Sequence, residues 1–563
     1  MPEIVAHRLA RFETPSPIDV VILGAGVNGA GLFRDLCEQG VDCLILDKAD
    51  FGSGTSAAPS RMIHGGLKYL ETGEFRLVAQ STLERNLLLR NAPHTVAPLP
   101  TLIPIFSWLK GIGAATRTLF GSKTAPRSRG AALIKIGLSI YDFYGARNRV
   151  MPRHKLMSRK AAISTLPAIN RNIRAAALYY DARITRPERL VYELVADGLK
   201  ANERSAAANY AELVSAENGT LSFAVEGKTY GVRPKLVVNA AGPWIDHVNA
   251  QLGSPSKLIG GTKGSHLLLK NDELVRQLDG RMVYFETDEG RICLAYEYLG
   301  HALIGSTDIR ADNPDTVHCE ESEILYMLAS LQALMPGLKL SRDQITYAYS
   351  GIRPLPRSDA AVAGLISRDH SAPVIEQDAT RPFPIISLVG GKWTTFRGFA
   401  EEVADTVLSR LARARKVSTR NLPIGGGRDY PMSTQARHRW LADAAAKTGL
   451  ATARLDQLLS RYGTTALELA GDGGQGMDAE RLPGSSDTSL AEIDAIARRE
   501  AVQHLSDIVM RRTTLAIGGT LTRGDLEAIA KVAGHALGWD EARRAREIEQ
   551  TITELTKRNM MRL

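Results

Sequence analysis

Three glycines and one acid carry the clearest chemical signal in the chain. Gly24, Gly26 and Gly29 space as GxGxxG directly after the apolar run DVVIL, and Asp47 ends the next apolar run eighteen residues beyond Gly29. Such a set suits a dinucleotide: Gly24 makes the tight turn, Gly26 lets backbone approach a pyrophosphate, and Gly29 lets helix and strand pack closely. Amides at the helix start then face the phosphates, and the Asp47 carboxylate can accept from a ribose hydroxyl. NAD and FAD share this fingerprint, so these residues alone leave the dinucleotide open. Downstream, His64, Gly65, Gly66, Lys68 and Tyr69 crowd into RMIHGGLKYLE. A double glycine beside a histidine suits close backbone approach to a flat ring, or equally a plain turn with a surface histidine. Ala241 and Gly242 follow the apolar strand of LVVNAAGPW, again small residues at a strand's carboxyl end. Lys263, Arg353, Lys392 and Arg397 stand on glycine turns or β-rich stretches. Singly each reads as a solvated or ion-paired group; gathered in space they would form an anion site.

These residues need elements to position them. Ile18 to Asp47 reads as strand, glycine turn, helix and second strand, one βαβ unit. KGSHLLL, LIGSTDIR, YSGIRPLPRSD and LVGGKWTTFR alternate β-rich apolar runs with glycine turns, which predicts antiparallel sheet. From about Arg410 the composition turns to Ala, Arg, Leu and Glu. Helical periodicity then covers ALELA, Leu490 to Arg511, Thr522 to Ala536 and Asp540 to Lys557, with Thr522 and Asp540 as caps, so a helical domain is expected over 429–563. No metal-ligand spacing occurs in it.

A length of 563 residues exceeds one typical domain, and 44% hydrophobic with 23% charged residues excludes collagen-like and disordered classes. Cys37, Cys43, Cys293 and Cys319 form no CxxC pair, which excludes a disulfide framework or zinc ribbon and points to a reducing, cytoplasmic setting. The N-terminal MPEIVAHRLARFETPSP lacks the apolar core of a signal peptide, and no run of eighteen apolar residues occurs, so neither export nor a membrane span is expected. The net charge of +9 is regional: Arg85 to Tyr180 holds sixteen Lys/Arg and one acid, Asp142, a local balance of +15 that leaves the remainder acidic.

GAGVNGAGLFRDL, GTSAAPSRMIHGGLKYLETGEFRLV, IKIGLSIYDFYG, VNAAGPW, KGSHLLL, IGSTDIR, YSGIRPLPR and GGKWTTFR, in this order, together resemble the FAD-dependent, quinone-linked glycerol-3-phosphate dehydrogenases and their glycerol-3-phosphate oxidase relatives. IVMRRTTLAIGG and GWDEARRAREI look like that family's C-terminal cap. The resemblance implies an α/β plus α+β architecture: a Rossmann-like FAD-binding domain interwoven with an antiparallel-sheet substrate domain over 1–410, then an all-helical cap. FAD segments are expected near 18–105, 180–250 and 345–410, and substrate segments near 106–180 and 255–345. It implies FAD, with Gly24, Gly26, Asn28, Gly29 and Asp47 holding the pyrophosphate and adenosine ribose. Thr55, Ser56, Ser60, His64, Gly65 and Gly66 would line the diphosphate and ring, and Ala241, Gly242, Gly391, Lys392 and Thr394 would close the flavin site. Lys68, Tyr69, His266, Arg353 and Lys392 would contact substrate. The chain departs from the family pattern at Lys68, where Arg is common, and at Ala57, Pro59 and Arg61, where serines and a lysine are common. Arg to Lys loses bidentate phosphate geometry.

The implied reaction oxidises sn-glycerol 3-phosphate to dihydroxyacetone phosphate, hydride passing from C2 to flavin N5 while His64 or His266 takes the hydroxyl proton and Arg353 binds phosphate or steadies the alkoxide. Electrons would pass to a membrane quinone. Within the basic region, 104–135 mixes Phe106, Trp108, Leu109, Leu119 and Phe120 with Lys110, Arg117, Lys123, Arg127 and Arg129. Apolar and cationic residues without acids suit an anchor on an anionic leaflet, and so a peripheral place on the inner face of the cell membrane; a solvated basic loop or a packed helix is the plain alternative. A homodimer is compatible with the sequence. Other readings are a different polyol phosphate such as erythritol phosphate, or an amine- or amino-acid-oxidising flavoenzyme of the same broad fold. The basic stretch lacks a recognised nucleic-acid motif, so no nucleic-acid partner is expected.

Overall fold

The computed structural model describes residues 3–70, 73–108, 131–145, 150–287, 291–311, 313–358, 368–470, 478 and 480–563. The apolar run predicted as the first strand is Ser16–Leu23, and the strands Lys228–Asn239 and Cys43–Leu46 flank it in parallel. Ile385–Ser387 and Ala206–Ala208 extend the parallel set at either side. Helix Val27–Glu38 buries Leu32, Phe33 and Leu36 against this sheet. A helix covering a continuous apolar strand is what parallel sheets require, since both faces must be buried.

A second, ten-stranded sheet is antiparallel except where Met282–Glu286 runs parallel to Val96–Ile105. Its strand Thr262–Leu269, buried throughout, pairs His301–Gly305 on one side and Ile345–Arg353 on the other. The chain crosses between the sheets several times, which gives the interwoven domains. The segment limits differ from the sequence expectation. Met62–Ile63, Val96–Ile105 and Ile345–Arg353, expected within cofactor segments, are all strands of the second sheet. Apolar strands of either sheet look alike in sequence, and only their pairing assigns them.

Among the described residues of 429–563 the elements are helices and one two-stranded ribbon, Arg481–Leu482 with Ser485–Ser489, which the all-helical expectation did not include. Thr522 and Asp540 cap their helices through side-chain oxygens, as expected. The single helix expected over Leu490 to Arg511 is instead Leu490–Arg499, a break, the short turn Leu505–Asp507 and a π-turn Ile508–Arg512. Arg189 on helix Pro187–Ala201 meets Glu500 at 2.6 Å, both side chains buried, and ties this region to the core. All four cysteines are free and buried.

Candidate active site

The carboxyl ends of the parallel strands and one face of the second sheet enclose a cavity of about 1250 Å³. At one end, Gly24 turns the chain with φ 105°, and a Cβ there would lie 2.6 Å from the Ala240 carbonyl oxygen. No side chain fits such an approach. The start of helix Val27–Glu38 opens onto the cavity at Gly26, Val27 and Asn28. The Val27 amide donates to Ser56 Oγ at 2.9 Å, while Asn28 Oδ1 is buried without a partner. Asp47 Oδ2 accepts from the Ala25 amide at 2.7 Å and Oδ1 from the Ala49 amide at 3.0 Å. Burial pushes its carboxyl up to about 6 against those two donors. A partnerless amide oxygen, a glycine-lined wall and an open helix N-terminus fit a dinucleotide.

The middle of the cavity is the His64 turn. Lys392 Nζ donates to the His64 carbonyl at 3.3 Å and to Ser81 Oγ at 3.0 Å, and sits 4.7 Å from the Tyr69 ring centre. The His64 amide donates to Thr394 Oγ1 at 3.2 Å. Gly65 stands behind the wall: its amide donates to Tyr141 Oη at 2.8 Å and Asp181 Oδ1 at 3.1 Å, and Arg85 donates to the same two oxygens. This buried set holds the turn's backbone. Burial, with Lys392, Arg368 and Arg85 nearby, keeps His64 well below the ordinary histidine value. Burial also lowers Lys392 to about 7, with Arg368 adding to the effect and Asp181 and Glu74 opposing it.

At the far end, His266 stacks on Tyr349 at 4.9 Å, and its Nε2 is engaged by Ser60 Oγ at 2.8 Å while Nδ1 is buried without a partner. Burial, then Arg353 and Arg61, push it down to about 3. Arg353 donates to Asp308 Oδ1 at 3.1 Å and Ser306 Oγ at 3.1 Å, and Arg368 reaches Asp308 Oδ2 at 3.5 Å.

Of the residues singled out from sequence, Gly24, Gly26, Asn28, Asp47, Thr55, Ser56, Ser60, His64, Gly66, Lys68, Tyr69, Ala241, Gly242, His266, Arg353, Gly391, Lys392 and Thr394 line this one cavity. Gly29 and Gly65 do not line it. A Cβ at Gly29 would overlap the Gly24 carbonyl, and one at Gly65 would overlap Tyr141 and Thr82, so both are packing glycines beneath the wall. Lys263 and Arg397 also stand apart: Lys263 pairs with Glu320 and Glu323, and Arg397 with Glu84 and Glu401. Arg368 and Asp308 were missed as site residues. Asp308 lies inside the IGSTDIR motif, whereas no motif in the sequence marks Arg368. Segment 104–135 is only partly visible, since 109–130 lie outside the described residues.

The FAD dependent oxidoreductase family matches residues 19–406, and the C-terminal domain of alpha-glycerophosphate oxidase matches residues 417–544. The chain belongs to the FAD dependent oxidoreductase family. FAD is therefore its cofactor, as the resemblance implied. Among curated proteins it is 31% identical to a glycerol-3-phosphate dehydrogenase of Synechocystis, covering 94% of this chain and 95% of that protein. It is 27% identical to D-erythritol 1-phosphate dehydrogenase of Brucella abortus, covering 89% of this chain and 94% of that one. The fold matches the X-ray structure of the glycerol-3-phosphate dehydrogenase from Bacillus halodurans complexed with FAD, at a TM-score of 0.74 and 23% identity over 98% of this chain and 97% of that one.

Proposed function

We propose that this FAD-dependent oxidoreductase oxidises sn-glycerol 3-phosphate to dihydroxyacetone phosphate. The observation that carries the reading is the gathering of Arg353, Arg368, Lys68 and Lys392 beside His64 in one cavity. One substrate carboxylate would need one arginine fork; this many cations suit a phosphate dianion. The name of the Synechocystis relative agrees with it. An amino-acid substrate fits this charge poorly.

Bound FAD supplies the two-electron acceptor that takes the C2 hydride. The chain's own groups orient the alcohol and remove its proton. Arg353, whose Nη1 donates to Asp308 and Nη2 to Ser306 and the Thr307 carbonyl, would meet the phosphate with its charge and remaining N–H groups. We assign the hydroxyl proton to His64. Its ring is half-buried at the cavity wall, whereas His266 is 1% exposed with Nε2 occupied by Ser60 and Nδ1 closed off. Its lowered pKa keeps His64 neutral near pH 7, the form that accepts a proton. His266, stacked on Tyr349, then serves as a rigid wall. A second reading, a four-carbon polyol phosphate, is supported by the likeness to D-erythritol 1-phosphate dehydrogenase of Brucella abortus.

We further propose that electrons leave to a membrane quinone with the enzyme lying on an anionic leaflet. Phe106, Trp108, Ile136 and Phe143, 42 to 76% exposed, flank the basic segment 109–130. Exposed apolar side chains next to cations suit an interfacial contact. No helix among the described residues is long and apolar enough to cross a membrane.

Two substitutions test the site. His64→Ala should lower kcat by about 10²- to 10⁴-fold with the bound-flavin spectrum retained, the usual range for a positioned proton acceptor. Arg353→Ala should raise KM for glycerol 3-phosphate by about tenfold or more, the loss of a charge-assisted contact. Turnover and KM unchanged in both variants would show the assignment to be wrong.

A further inference from the structure

A buried charge network lies between the cavity and the C-terminal domain, and the reaction above does not use it. Two segments form the cavity wall beside Asp47: the loop over 47–53, and the turn 209–210 with the strand Ala211–Glu217 that it leads into. In the first, Asp47, Lys48, Ala49 and Ser53 line the cavity while Asp50, 0% exposed, does not; in the second, Ala211, Glu212 and Leu213 line it while Asn209 and Tyr210 do not. The segments are bonded to each other: the Asp47 amide donates to Ala208 O at 3.0 Å, the Tyr210 amide to Ala49 O at 3.1 Å and the Ala211 amide to Asp47 O at 2.8 Å. Asp50, Asn209 and Tyr210 are held instead by the C-terminal domain.

Asp50 accepts from Arg511 Nε at 2.6 Å and from Arg512 at 2.7 and 2.8 Å, and Asn209 Nδ2 adds a fourth donor at 2.9 Å. Asn209 also donates to Ala501 O at 2.9 Å and accepts from Gln503 Nε2 at 2.9 Å. Tyr210 Oη donates to Asp507, and its ring packs edge-on against His504 at 4.6 Å. The local backbone makes the double fork possible. Neighbouring residues of a regular α-helix do not face the same way, whereas the π-turn Ile508–Arg512 brings Arg511 and Arg512 onto one carboxylate. Loss of the two arginines with the domain still docked would leave Asp50 buried and uncompensated, so the docked arginines and the shape of the first loop are linked.

We propose that the C-terminal helical domain is a clamp for the adenosine half of FAD, with Asp50, Asn209 and Tyr210 as positioning residues that hold the Asp47 and 211–213 walls in their binding shape. Docking of 501–512 and binding of FAD are then coupled, and each strengthens the other by the same factor. The idea rests on the cofactor and not on the identity of the polyol, so it stands if another substrate is found.

The test uses the full chain, stripped of FAD and reloaded. Backbone hydrogen exchange over 500–515 is followed with and without FAD, and FAD release is timed by the rise in flavin fluorescence. FAD should slow exchange over 500–515 by about fivefold or more. Asp50→Asn and Tyr210→Phe should both speed FAD release and shrink that protection. Arg523→Ala, in the exposed pair with Glu549, should change neither. Tyr210→Phe removes one hydroxyl only and carries the test if Asp50→Asn does not fold. Equal exchange with and without FAD, or unchanged FAD release in every folded variant, overturns the proposal.

Discussion

Lys392 shows how one residue's surroundings set its chemistry. Its ammonium sits between the His64 carbonyl, Ser81 and the Tyr69 ring, and burial brings its pKa down to about 7. A lowered pKa means the charge is present below that value and lost as pH rises through it. If Lys392 helps hold a phosphate dianion, kcat/KM for glycerol 3-phosphate should fall about tenfold per pH unit above about 7, because that ratio reports the free enzyme. The substrate phosphate completes its own ionisation near pH 6, below this limb. Lys392→Arg, which keeps its charge, should remove the limb; a profile identical to wild type would deny Lys392 that role. At this scale the glycine fingerprint was legible because Gly24 answers to local backbone geometry, a positive φ and a carbonyl at 2.6 Å. Arg368 and the choice between His64 and His266 were not, because they depend on burial and on strands brought together across the chain.

At the scale of elements, helix Ala131–Tyr144 explains part of the basic region. Ala131, Ile134, Leu138 and Tyr141 pack against Leu70, Val78 and Ile105, while Ile136 and Phe143 face outward at 59 and 76% exposure. One face of this helix thus packs on the core and the other is exposed, while 109–130, which hold most of the residues read as an anchor, lie outside the described residues. Ile136→Ser with Phe143→Ser should cut flotation with anionic liposomes several-fold while leaving turnover with a soluble dye acceptor intact, since each buried CH₂ in an interface adds about 0.8 kcal/mol. Flotation equal to wild type would remove this face from the membrane contact. Helix caps at Thr522 and Asp540 were readable because Ser, Thr and Asp satisfy the first amides locally. The break between Arg499 and Leu505 was not readable. There the 3.6-residue pattern continues through sequence, but Gln503 and His504 turn toward Asn209 and Glu547 instead.

For the whole molecule, two sheets between which the chain crosses line one cavity, and the C-terminal domain is bonded to the loop beside Asp47. The interweaving was visible as an order of motifs, while the allotment of strands was not: Val96–Ile105 has ten residue partners on Ala175–Ile184 that lie far along the chain. The central claim is that FAD held by this cavity is reduced by a polyol phosphate. Anaerobic addition of glycerol 3-phosphate to the purified, FAD-loaded protein tests it most directly, beside D-erythritol phosphate and glycine. The bound-flavin absorbance should bleach fully, and fastest with glycerol 3-phosphate. Bleaching by glycine alone, or by none of the three, would contradict it.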